Sequence, residues 1–141
     1  NQGEDTCPRA ATVQIAEFPE DLTRLPSRDI GRLYSRYTAA LGPLSDELCQ
    51  ARVEHKFIAG MLRRAKARAA FTARGIKLQK WASVYRDSEV VDFMRQEMNV
   101  QARIIGLTSV LWTIKDYLRA LEFERDRRIQ EVKTEGYGGQ D

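Results

Sequence analysis

Residues 63–81 read RRAKARAAFTARGIKLQKW, with seven cations and no acid. Lysines and arginines at that density, without carboxylates to pair with, have one chemistry open to them: they hold phosphates or other anions. From the end of that stretch onward, Lys77, Lys80 and Arg86 interleave with Trp81 and Tyr85. Rings beside cations suit single strands, because an unpaired base stacks on the ring while the cation holds its phosphate. Between Arg52 and Arg86 ten Lys or Arg face a single acid, Glu54. That segment carries +9 and leaves −6 to the remainder, since the formal net charge is +3. Such asymmetry points to a polyanionic partner, nucleic acid or an anionic surface.

Other chemistry finds little support. His55 is the only histidine and falls on an apolar helical seam, the place of a packed or hydrogen-bonded histidine rather than a catalyst. One histidine and two distant cysteines, Cys7 and Cys49, cannot build a nucleophile–base pair or a metal site. No phosphate-cradling Gly-rich loop exists; the terminal GYGGQ precedes no helix. No catalysis, metal or cofactor is therefore expected. Two cysteines make no disulfide framework, so a reducing, cytoplasmic setting is the default. No signal peptide and no membrane span are expected; the most apolar stretch, 104–112, contains Gly, Thr and Ser.

The elements that must position these residues are helices. Residues 1–26 form an extended N-terminal arm, with Val13 and Ile15 in weak strand-like alternation and Pro19 and Pro26 bracketing an acidic turn. The helical domain covers 27–135, and 136–141 is a flexible tail. Ser27 reads as an N-cap. Ile30, Leu33, Tyr34, Tyr37 and Leu41 share one face of a first helix, which Gly42 and Pro43 stop. A second helix, from about Pro43 to about Arg74, carries Leu44, Leu48, Ala51, His55, Ile58, Leu62, Ala65 and Ala69 at alternating steps of four and three. That is a heptad seam. Gly75 ends this helix, and 76–86 is a connector whose secondary structure the sequence leaves undecided.

Asp87 or Ser88 caps a third helix. Phe93, Val100, Ile104, Leu107, Leu111, Ile114, Leu118 and Leu121 keep the same rhythm, interrupted only by Glu97. Glu97 would specify register or pair with a cation of another subunit. Val91, Met94, Met98, Ile105 and Trp112 widen the apolar surface beyond one stripe, so self-association is expected. The fold class is all-α: a helical hairpin plus one very long C-terminal helix, with coiled-coil-like packing in a homo-oligomer.

On a helical wheel Arg52, Lys56, Arg63, Lys66 and Arg74 cluster on one side, about a quarter turn from the seam. Arg64 and Arg68 lie further round. An ordinary solvated face mixes signs, since opposite charges at i,i+4 stabilise a helix. The last helix does so through Glu122, Glu124, Arg125, Asp126, Arg127, Arg128 and Glu131; the middle of the chain does not. The nucleic-acid-binding candidates are Lys66, Arg68, Arg63, Arg64, Arg74, Lys77 and Lys80. Trp81 fits either a core position or a stacking platform. No short recognition helix of the duplex-reading kind is present, so binding to single-stranded DNA without sequence preference is favoured.

LYSRY in the first helix, KAR at Lys66–Arg68, the turn ending in ARG and the long last helix resemble the phage UvsY-like recombination mediator family, over roughly residues 28–130. The resemblance implies a small helical protein that assembles into rings in a phage-infected bacterial host. It implies binding of single-stranded DNA and loading of a recombinase onto strands coated by single-strand-binding protein. It also implies that Lys66 and Arg68, in the KAR, contact DNA. The interval between LYSRY and KAR is longer here by about two helical turns, and the arm has no counterpart. Two other classes compete. A helical structural or scaffold component, for instance of a virion, would show the same long helix without nucleic-acid binding. Peripheral membrane attachment ranks last, because no large apolar residues oppose the basic face.

Overall fold

The computed structural model describes residues 18–137; the strand-like arm positions and the last four residues lie outside them. Among the described residues there are three α-helices and no strand: α1 Ser27–Thr72, α2 Lys77–Arg86 and α3 Ser88–Tyr137, preceded by a 3-10 turn at Leu22–Arg24. The all-α class, the hairpin and the long C-terminal helix are as the periodicity predicts.

Two local expectations are corrected, and one point left open by the sequence is answered. Gly42 and Pro43 do not break the chain; α1 runs through them. Proline forfeits an N–H and crowds the preceding turn. The buried positions Ile30, Tyr37, Leu44, Ala51, Ile58 and Ala65 nevertheless keep a strict interval of seven across it. Burial of that seam outweighs the local penalty. Ser27 is not the cap: Pro26 precedes the helix, and its carbonyl accepts from the Asp29 and Ile30 amides at 2.9 and 3.2 Å. The connector after Gly75 is itself helical, as α2. Gly75, at φ 120°, makes the turn into it, and a Cβ there would meet Gln79 Oε1 at 2.6 Å. At the start of α3 the expected cap is present: Asp87 Oδ1 accepts from the Glu89 and Val90 amides at 3.0 and 3.1 Å.

The chain divides into two compact units, Leu41–Lys115 and the combination of the chain up to Ala40 with that from Asp116. In the Leu41–Lys115 unit, α1 and α3 run antiparallel: Glu47 meets Arg103, His55 meets Gln101, and Arg68 meets Glu89. The seam residues Leu44, Leu48, Ala51, Ile58, Leu62 and Ala65 are buried, as are Val100 and Ile114. His55 is part-buried, with Gln101 Nε2 at 3.2 Å and Glu97 at 3.8 Å from its Nε2. Glu97 thus lies beside His55 and Gln101 of its own chain. A helix of only ten residues is marginal alone. Val84 fixes α2 by packing, fully buried, with Leu62, Ala65 and Val90.

In the other unit the first turns of α1 pack on the end of α3, burying Ile30, Tyr37, Leu118 and Leu121. Phe18 stacks on Tyr117, ring centroids 4.1 Å apart, and Tyr37 tilts against both rings. Arg128 is spent on structure. It donates to Glu124 at 2.7 Å, to the Leu22 and Leu25 carbonyls at 3.0 and 2.6 Å, and to Ser27 Oγ at 3.0 Å. Glu124 is buried, and hydrogen bonds from Arg127 and then Arg128 lower its carboxyl from the usual 4.5 to about 2.

Candidate nucleic-acid-binding surface

The cations that singled out this chain all lie in the Leu41–Lys115 unit, and the antiparallel pairing sorts them by flank. Glu47, Glu54 and Arg68 stand at multiples of seven along α1; Glu89 and Arg103 do so along α3. They meet along one flank of the helix pair: Arg103 bridges Glu47 and Glu54 at 3.2 and 3.6 Å, and Arg68 is ion-paired with Glu89. That flank is neutralised.

Arg52 and Lys66 form another row at a multiple of seven, with Lys56 and Arg63 one turn over. Residues two apart project about 200° apart round a helix. Lys66 and Arg68 therefore point to opposite flanks, Lys66 toward Tyr85 and Arg68 toward Glu89. Among the described residues no carboxylate reaches ion-pair distance of Arg52, Lys56, Arg63 or Lys66. Arg64, Arg74, Lys77 and Lys80 are likewise unpaired there, all exposed except the half-buried Lys80.

The open flank also carries rings. Lys66 Nζ sits 5.3 Å from the centroid of the Tyr85 ring, and Trp81 lies 6.3 Å from Tyr85 at 33°. Both rings are on α2, one turn apart. Trp81 is 45% and Tyr85 50% exposed, which decides between the two readings of Trp81: the ring is at the surface. Tyr85, noted beside Trp81 in the sequence but left out of the binding candidates, is the ring that Lys66 meets. Its helical spacing from Trp81 was visible, but its position beside Lys66 depends on how α2 folds back on α1.

The chain matches no family model, no curated protein and no solved structure. The likeness to recombination mediators therefore rests on the short sequence matches alone. Among the described residues no group of three or more His, Cys, Asp or Glu is placed to hold a metal ion. No helix there is long and apolar enough to cross a membrane. The exposed Cys49 lies beside Val53 and Phe57.

Proposed function

We propose that this protein binds single-stranded DNA without sequence preference, through the flank of α1 that carries Arg52, Lys56, Arg63 and Lys66, with Tyr85 and Trp81 of α2 beside it. The observation that carries this reading is the contrast between flanks: Arg68 and Arg103 are matched by carboxylates of the same chain, whereas the Lys66 side has none and carries exposed rings. A helix gains little from a row of unmatched cations unless an anion arrives. Phosphates supply the anion, and unpaired bases supply flat surfaces for the rings. The role is recognition rather than catalysis.

Self-association belongs to the same proposal. Val91, Met98, Ile105 and Trp112 are all exposed and recur every seven residues on α3, about 140° round the helix from the middle of the seam that meets α1. A helix with two such stripes suits two helical neighbours, and the chain supplies one. A second copy supplies the other. Multivalent contact along one strand then raises a modest affinity per subunit. In the mediator reading, the assembly helps load a recombinase onto strands coated by single-strand-binding protein, in the cytoplasm of a phage-infected bacterium.

The exposed stripe equally suits a helical scaffold component that binds no nucleic acid. Pull-down of a 50-mer oligonucleotide at low and high salt separates the two. The mediator reading requires capture that salt weakens, and the scaffold reading requires none.

A further inference from the structure

A second surface lies in the unit formed by the chain ends, where the start of α1 and the end of α3 leave an open groove of about 520 Å³. Ile30 and Leu121, both buried, form its floor; Tyr34, Ile129 and Val132 wall it. Ile129 and Val132 are 46% and 70% exposed, so these walls face solvent. Gly31 lies on the α1 side, and a Cβ built there meets nothing within 4 Å.

The charged residues that line the groove are all cations, with no carboxylate among them. Arg128 is consumed by Glu124 and the Leu22 and Leu25 carbonyls. Arg125 rests 5.5 Å from the Tyr34 ring centroid, and its one carboxylate contact among the described residues, Asp126 at 4.0 Å, is exposed on both sides. Lys133 has no ion pair among the described residues. Glu122 accepts the Tyr34 hydroxyl at 3.0 Å. An apolar trough edged by two available cations matches an occupant with apolar residues on one side and acids beside them.

We propose that this groove docks an acidic amphipathic peptide segment of a partner protein. Arg125 and Lys133 edge an apolar trough, and complementarity to their charge sets the chemistry of that partner. An apolar anchor with a charged rim is a common form of helix-in-groove recognition.

The test is selection of a random twelve-residue peptide library on the full-length chain, followed by fluorescence anisotropy of the enriched peptides. Gly31→Leu fills the trough with a residue of better helix propensity. Lys133→Glu reverses the rim at an exposed position. The expected result is enrichment of sequences that combine Asp or Glu with Leu, Ile or Phe. Their affinity should fall at least tenfold for each variant, while circular dichroism is unchanged. Replacing the peptide acids with Lys should restore part of the binding to Lys133→Glu. The proposal is overturned if the enriched peptides are basic or purely apolar, or if both variants bind them as the parent does. It is also overturned if Gly31→Leu changes the mass of the assembly, which would make a second copy the occupant. Displacement of the peptides by a single-stranded oligonucleotide would overturn it too, assigning the groove to nucleic acid.

Discussion

Lys66 and Arg68 are separated by one residue and have different work. Lys66 stands over Tyr85 on the flank without carboxylates, whereas Arg68 is held by Glu89. Lys66→Ala and Arg63→Ala should each weaken oligonucleotide binding and flatten its salt dependence by about 0.7 in the logarithmic slope, the share of one phosphate contact on a single strand. Arg68→Ala should leave binding nearly unchanged. It should cost at most about 1 kcal/mol in stability, because both side chains of the pair are at least half exposed. Fluorescence titrations at several salt concentrations check both statements. The richness in cations was legible from residue types alone. Which of them are free was not, because Glu89 comes 21 residues after Arg68 and only the hairpin register brings them together. Glu124 gives a residue-scale prediction of another kind. Its carboxyl titrates lower in the folded chain than in the unfolded one, so its stabilisation is complete above about pH 4.5 and disappears as pH falls toward 2. Urea denaturation across that range should show a stability loss in the parent that is smaller in Glu124→Gln.

The helices show where local rules hold and where they yield. The four-three rhythm of the seam from Leu44 to Ala65 predicted burial at nearly every position, because a helix pair buries whatever faces its partner. The Asp87 cap was equally legible, since its side chain meets amides two and three residues on. Gly42–Pro43 misled because a local break signal competed with a seam whose phase continues on both sides. Pro43→Ala should therefore stabilise α1, by about 1 to 3 kcal/mol, measured as a rise in the denaturation midpoint. An unchanged or lower midpoint would show that proline serves the helix there. Gly75 is the opposite case. Its positive φ is required by the turn between α1 and α2, so Gly75→Ala should cost about 1 to 2 kcal/mol and weaken binding as α2 shifts its rings. The helical state of 76–86 could not be read from so short a segment; it depends on burial of Val84 against residues of both long helices.

For the whole molecule, the uneven charge and the unpartnered apolar stripe act together. A chain with net charge +3 concentrates its cations in one stretch, and several copies joined through α3 would multiply that concentration along one strand. Met98→Glu with Ile105→Glu should reduce the assembly mass in light scattering and lower affinity for a long strand, with little effect on a short oligonucleotide that spans a single subunit. The most direct measurement of the central claim is binding of a mixed-sequence single-stranded 50-mer against ionic strength. Four phosphates neutralised per subunit imply a logarithmic slope of about −3 per subunit, little dependence on sequence, and a clear loss in Lys66→Ala. Absence of binding at low salt, or affinity unchanged by salt and by Lys66→Ala, would contradict the account.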